Sequence, residues 1–411
     1  MSTTYKVQQG DTYEIISRRA YGSEKHAPTL AAANPNAVEP LSAGTSIVIP
    51  DLQGAPVPRN PQISVAGENE VALLIEGFRF RFWTDIRLTR SIDKFSTATF
   101  RAPFDTDSAE FREVFRPFSF KPVKITVGDA VLFNGTIVSI VPEVDATSKS
   151  VTVAAYSKPG VLSDCSAAAV DRDSLEFFEF NIKEIATKLA QPFGIDVVFD
   201  GAPGDVFDLV AVPPERKLLN FLTNLAQKRN FVITSTDDGK LLFHRSKPAG
   251  VPVARLTQGE APLISVTPSF KSQEYYSHVT GVDPLILGLE GSSATVKNNF
   301  LSGVVRPITF KVEDAINANI QGATEAKIAR MFANAASYVL KVATWRDAFG
   351  DLWRPNTTVE VFAPNAMVYN AYSFIIRSVT FDIERDRETA TLELVMPGAF
   401  EGKQPESLPW V

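Results

Sequence analysis

Few residues in this chain combine the types and spacing that chemistry needs. The densest acidic run is Glu384-Arg385-Asp386-Arg387-Glu388. Two carboxylates a few ångströms apart are what a glycosidase uses as acid and base. Here they alternate with arginines between two strand-like runs, which reads as a self-neutralising, solvated hairpin tip. The single thiol, Cys165, sits in Leu162-Ser163-Asp164-Cys165-Ser166 with no base beside it, and reads as a small core residue. There is no Gly-x-Ser-x-Gly elbow. Gly288-Leu289-Glu290-Gly291-Ser292-Ser293 is glycine-rich but lacks the lysine of a phosphate loop and reads as a loop. The three histidines, His26, His244 and His278, lie far apart, and no His-Glu-x-x-His occurs. His244 and His278 read as surface or half-buried strand residues. The expectation is no catalytic residue, no cofactor and no metal.

The composition has an ordinary globular balance. With 411 residues, 45% hydrophobic and 21% charged, the chain can form several cores. Lys plus Arg is 41 and Asp plus Glu is 47, a net charge of −6. That balance argues against specific nucleic-acid binding, which calls for a basic face. One cysteine excludes an internal disulfide framework. No apolar run approaches the ~18 residues of a membrane helix. The opening Met1-Ser2-Thr3-Thr4-Tyr5-Lys6 carries no apolar stretch of the secretory type, so synthesis and assembly in the cytoplasm are expected.

Pattern divides the chain into units. Residues 1–52 read as a β-α-α-β unit. Tyr5-Lys6-Val7 is a strand, and Gly10-Asp11-Thr12 turns into a helix with Ile15 and Ile16. A second helix covers Ala27 to Ala33 and is stopped by Asn34-Pro35, and Ser46 to Pro50 closes as a strand. Residues 53–68, with Pro56, Pro58 and Pro61, read as a semi-rigid linker. Residues 69–169 are a first barrel-like β domain. It includes Phe78-Arg79-Phe80-Arg81-Phe82-Trp83, expected as a strand with one buried face, and Asn134-Gly135, a turn or bulge signal. Residues 170–247 are a small α+β insertion. In it Asn181 caps a helix bearing Ile182, Ile185 and Leu189, a second helix carries Leu218, Phe221, Leu222 and Leu225, and a hairpin turns at Asp237-Asp238-Gly239. Residues 248–400 form a second barrel-like β domain with one helix from about Thr324 to Leu340, and 401–411 look like an extended tail. The fold class expected is mainly β with an α+β insertion.

Two resemblances follow. Tyr5-Lys6-Val7-Gln8-Gln9-Gly10-Asp11-Thr12, Tyr21-Gly22, Asn34-Pro35, Leu41, Gly44 and Ile47-Val48-Ile49-Pro50 resemble a LysM module. That implies a groove built from Gly10, Asp11, Thr12 and Tyr13 on one side and Asn34, Pro35, Asn36 and Ala37 on the other. It would take either N-acetylglucosamine polymers such as peptidoglycan, or a protein partner.

From residue 69 to 400 the order of elements resembles the late-control or tail-hub family of contractile-tailed phages (Mu-like and P2-like), which is related to the hub half of type VI secretion spike proteins. The segments that carry the likeness begin with Trp83-Thr84-Asp85-Ile86-Arg87-Leu88. Next come Phe133-Asn134-Gly135-Thr136-Ile137 and Tyr156-Ser157-Lys158-Pro159-Gly160. Phe221-Leu222-Thr223-Asn224-Leu225-Ala226, Trp345-Arg346-Asp347 with Gly350-Asp351-Leu352-Trp353, and Ile376-Arg377-Ser378-Val379 complete the series. The resemblance implies a structural homotrimer in the virion tail baseplate. Its ring would join the tail tube or distal tail protein to a central spike protein and surround a channel through which DNA passes. The N-terminal arm would dock baseplate wedge or sheath-proximal proteins. Two other readings use the same N-terminal unit: a peptidoglycan-targeted cell-wall hydrolase and a carbohydrate-binding adhesin.

Overall fold

The computed structural model describes residues 3–8, 10–21, 27–49, 69–104, 107–145, 149–167, 175–246, 250–282, 292–312, 320–384 and 387–411. The expected linker, His26, most of the Gly288–Ser293 run, and Arg385 with Asp386 lie outside these residues.

The N-terminal unit has the β-α-α-β order its pattern suggests: β1 (Thr3–Lys6), α1 (Tyr13–Tyr21), α2 (Ala27–Ala33) and β2 (Ser46–Ile49). β1 and β2 pair antiparallel, with Tyr5 opposite Ile47. Val7, Tyr13, Ile16, Leu30, Leu41 and Ile47 form its own small core.

The next region is all-β apart from one helical turn and a half. It holds β3 (Val71–Ile75), β4 (Phe78–Phe80), β5 (Asp85–Ser91), β6 (Thr97–Pro103), α3 (Ala109–Val114), β7 (Pro122–Val127), β8 (Ala130–Val144) and β9 (Lys149–Ser157). Burial alternates along β5, β6 and β9, the period-2 signature of strands with one face on a core. The alternating Phe78–Trp83 run departs from expectation. Only three residues pair as β4, and Phe78 is 80% exposed and Phe82 56%. Phe80 turns inward, against Phe100, Phe111 and Phe115, and Trp83 also packs partly on the core. Asn134-Gly135 is not a turn but lies within β8. A Cβ on Gly135 would stand 2.1 Å from the Tyr156 carbonyl oxygen, so the glycine permits close approach of β9.

The insertion holds β10 (Glu176–Phe180), α4 (Ile182–Ala190), β11 (Val197–Phe199), β12 (Phe207–Ala211), α5 (Leu218–Lys228), β13 (Val232–Ser235) and β14 (Leu241–His244). Asn181 accepts from the Lys183 and Glu184 amides while Glu184 reaches back to the Asn181 amide, a full capping box. The buried faces of α4 and α5 enclose a core with Phe177, Phe231 and Phe243.

The last region holds β15 (Arg255–Thr257), β16 (Leu263–Phe270), β17 (His278–Val282), β18 (Ser293–Lys297), β19 (Pro307–Lys311), α6 (Ile320–Ala335), β20 (Ala336–Val342), β21 (Thr358–Ala363), β22 (Val368–Glu384) and β23 (Arg387–Val395). The expected helix from Thr324 to Leu340 is two elements. It ends at Ala335 and runs straight into β20, where Tyr338, Leu340 and Val342 are buried at every second position. β-branched and aromatic residues packed against β16 and β23 override helical continuation there. The final residues are not an extended tail: Leu408 is buried, Tyr372 donates to the Ser407 carbonyl, and Trp410 stacks edge-on against Phe270.

The two β regions share one hydrogen-bonded sheet. Its path runs β16-β20-β23-β22-β5-β6-β9-β8-β7-β3-β4, with β21 on β22 and β15 on β21. The seam is the antiparallel β5–β22 pair, from Ser378 opposite Ser91 to Glu384 opposite Asp85. A single buried cluster spans both sides of it, including Phe100, Val153, Trp353, Phe374 and Phe381.

Candidate functional site

The eight groove residues of the N-terminal unit come together, but mostly to hold one another. Tyr13 Oη donates to the Ala37 carbonyl at 2.6 Å and to the Asn34 carbonyl at 3.3 Å, joining the two halves. The Tyr13 amide, at the start of α1, donates to Glu39 at 2.6 Å. Burial, with the Glu39 charge adding to it, pushes the Tyr13 phenol above its ordinary value. Asp11 is buried and accepts from Tyr5 Oη and the Gln8 amide, both at 2.8 Å. Thr12 Oγ1 accepts from the Ile15 amide. Asn34 Nδ2 donates to the Leu30 and Val48 carbonyls, and its Oδ1 accepts from the Val48 amide. The surface left for a partner is Gly10, whose φ of 86° suits glycine, with Pro35 and Asn36 and the exposed valines Val38 and Val48 beyond them.

A second constellation lies at the seam, and sequence reading missed it. Arg377, at the start of the β5–β22 pairing, clamps Asp93 through Nη2 at 2.8 Å and Nε at 3.3 Å, and reaches Glu393 through Nη1. Asp93 also accepts from Ser91 Oγ. Burial works to raise the Asp93 carboxyl, but the Arg377 hydrogen bonds and charge, Ser91 and Lys94 outweigh it and hold it below its ordinary value. The insertion is fastened to the same spot. Thr234 Oγ1 donates to the Ser91 and Lys94 carbonyls at 2.8 and 2.7 Å, Arg90 pairs with Asp237, and Asn134 Nδ2 donates to the Asp238 carbonyl. His244 is buried, not at the surface, with Nε2 2.8 Å from the Ile92 carbonyl oxygen. Asp93 and Arg377, and the residues that fasten the insertion to them, are more than a hundred residues apart, so no local pattern announces them.

The residues first considered for chemistry take structural places. Cys165 is half-buried and its carbonyl accepts from the Leu218 amide at the start of α5. Glu384 pairs across the β22–β23 hairpin with Arg387, and Glu388 accepts from Asn69. His278 lies 3.0 Å from Ser277 Oγ. Among the described residues no group of three His, Cys, Asp or Glu side chains is placed to hold a metal. No described helix is long and apolar enough to cross a membrane.

The surface is uneven. At the β4 end of the sheet Phe78, Phe82, Phe118 and Phe120 are exposed, Phe118 at 92%. Phe118 and Phe120 hold left-handed backbone, φ 58° and 48°, which bulky residues seldom adopt. At the opposite end Ile264 and Phe270 of β16 are exposed.

Comparison with known proteins places this architecture. Residues 159–245 match the family model "Baseplate hub protein gp44-like, second domain". The chain is 23% identical to the baseplate hub protein gp44 of Escherichia phage Mu over 311 residues, 72% of this chain and 79% of that protein. Its fold is similar to the 43 kDa tail protein of prophage MuSo2 from Shewanella oneidensis, with TM-score 0.69, 22% identity, and coverage of 80% of this chain and 99% of that one. It is also similar to a tail protein of Neisseria meningitidis, with TM-score 0.66, 18% identity, and coverage of 81% and 98%. The chain is thus similar in sequence to a baseplate hub protein of a phage tail and in fold to phage tail proteins.

Proposed function

We propose that this hub protein is a passive structural mount. Three copies close into a ring that joins the tail tube to a central spike, and the ring surrounds a channel. The observation that carries the reading is the single sheet holding two barrel-like regions side by side, with apolar side chains exposed at both of its ends. Unpaired strand borders and exposed apolar patches invite a partner. A head-to-tail contact between the two ends closes into a ring if the rotation is right. Three copies would set six barrel-like units around the axis, the match a sixfold tube needs. The net charge of −6 suits a bore through which DNA slides without sticking. The role needs no catalytic residue and no cofactor.

Residues 1–52, on the linker 53–68, act in this reading as a docking arm for peripheral baseplate components. The support is that Asp11, Tyr13 and Asn34 spend their polar groups inside the fold, while Val38 and Val48 face outward. A sugar groove would keep polar side chains in reserve.

Light scattering on the purified chain, alone and with its spike, tests the ring. A species of three chains is expected. Monomer alone in both samples overturns it. Capture of residues 1–60 on baseplate components but not on chitin oligomers is expected for the arm, and the reverse result restores the glycan reading.

A further inference from the structure

Helix α5 of the insertion and helix α6 of the second β region lie against one another, and a cleft of about 260 Å³ opens between them. Its walls are spaced by one helical turn: Thr223 and Gln227 on α5, Arg330 and Asn334 on α6. Apolar side chains, Phe231, Ile233 and Phe400 prominent among them, make up about half of the lining, and Lys94 and the Asp93–Arg377 pair also border it. The volume falls short of the roughly 300–1,000 Å³ of a drug-sized ligand site, so it suits one or two side chains rather than a cofactor.

The two arginines that border the cleft differ. Arg377 is engaged with Asp93 and Glu393. Arg330 is mostly buried, yet its guanidinium makes no hydrogen bond or ion pair with any described residue. Burial works against its charge, and the Asp93 carboxylate, too far for contact, only partly supports it. A guanidinium taken out of water without a counter-group is costly, and its planar fork of donors fits a carboxylate with two parallel bonds. Lys94, also on the lining and exposed, adds a second cation. A bare inorganic anion would satisfy Arg330 but leave the apolar lining wet.

We propose that this cleft is a binding site for a carboxylate on an apolar arm, supplied by a partner polypeptide as an acidic side chain or a chain terminus flanked by aliphatic residues. Arg330 would take the carboxylate, and the apolar lining its neighbour. The site touches all three packed regions, because Phe95, α5 and α6 come from different ones. An occupant would therefore tie them together. The inference stands apart from the ring reading, since it needs only one chain.

The test uses the full chain and calorimetric titration. Two matched peptide pairs are the probes: acetyl-Leu-Glu-Leu-amide against acetyl-Leu-Gln-Leu-amide, and acetyl-Leu-Leu as free acid against its amide. At least one acid is expected to bind ten-fold or more tighter than its uncharged partner, and which one does so identifies side chain or terminus. Arg330→Gln should erase that difference without lowering the melting temperature, and Thr223→Trp, which fills the cleft from the other wall, should block both peptides. Equal binding of acid and amide in both pairs, retention of the difference in Arg330→Gln, or displacement of the acid by an equal concentration of inorganic phosphate would overturn the proposal.

Discussion

Arg377 and Asp93 face each other where the two β regions meet, with Nη2 2.8 Å from Oδ2 and both side chains about five-sixths out of water, at 16% and 17% exposure. Asp93 follows β5 and Arg377 lies in β22, so the pair welds the seam at the point where the insertion is also attached. Removing one partner of such a pair leaves an uncompensated charge. Arg377→Ala is expected to cost about 3 kcal/mol, measured by urea unfolding. The pH dependence follows from the sign of the Asp93 shift. Its folded value is depressed, so the stabilisation is present above the ordinary value near 3.8 and is lost as pH falls below it through the folded value. Asp93→Asn should flatten the loss of stability that sets in as pH falls below about 3.8. An unchanged acid limb would count against the pair.

Tyr338 lies in the core of the second β region, packed on Phe270 and Phe374, and its Oη finds no hydrogen-bond partner among the described residues. A buried hydroxyl without a partner is a penalty the fold carries. Tyr338→Phe should therefore stabilise the chain by about 1 kcal/mol. A melting temperature lower than that of the parent would show that the hydroxyl has a partner after all.

Gly135 sits where β8 and β9 cross closely, with Phe133 on one side and the Tyr156 carbonyl on the other. Neither the backbone oxygen nor the buried ring can yield cheaply. Gly135→Ala is expected to destabilise the chain by about 2–3 kcal/mol, the upper part of the range for overpacking, as read in denaturant titrations.

Phe118 and Phe120 hold their rings in solvent on left-handed backbone. If the β4 end is a contact between copies, Phe118→Gly with Phe120→Gly should weaken three-chain assembly at least ten-fold in sedimentation. The isolated chain should lose almost nothing, or gain up to about 1 kcal/mol from the relaxed backbone. Full assembly by the double variant would move the contact elsewhere.

Tyr13→Phe should cost the N-terminal unit about 1–2 kcal/mol, because the Ala37 carbonyl loses its donor. Hydrogen exchange should rise across α1 and α2 and stay level in β5 and β22. An even rise throughout would mean that the unit is coupled to the rest.

How much of this was legible in the sequence depended on the range of the interactions. Local signals read true. Ala27–Ala33 stops at Asn34-Pro35, Asn181 caps α4, and the β13–β14 turn sits at Asp237-Asp238-Gly239. They hold because the capping atoms and turn residues lie within a few positions of what they fix. Readings failed where a distant partner decides. Ala336-Ser337-Tyr338-Val339-Leu340 could continue the helix on periodicity alone, but β16 and β23 claim this stretch as strand. His244 looks like a strand-end surface residue until Ile92 is brought over it. Phe78 and Phe82 alternate like a buried face, yet the short β4 leaves them outside. In the candidate groove the residue types were legible, but not that Asp11 and Asn34 spend their hydrogen bonds on the fold itself.

The β5–β22 seam has a mechanical corollary. Seven residue pairs, Ser378–Ser91 through Glu384–Asp85, bridge the two halves. A pull directed along the strands must shear all of those backbone bonds at once, whereas a pull across them would peel them open one after another. Thrust delivered along the strand axes would thus load all seven pairs of this junction together, while a sideways pull would load them in turn.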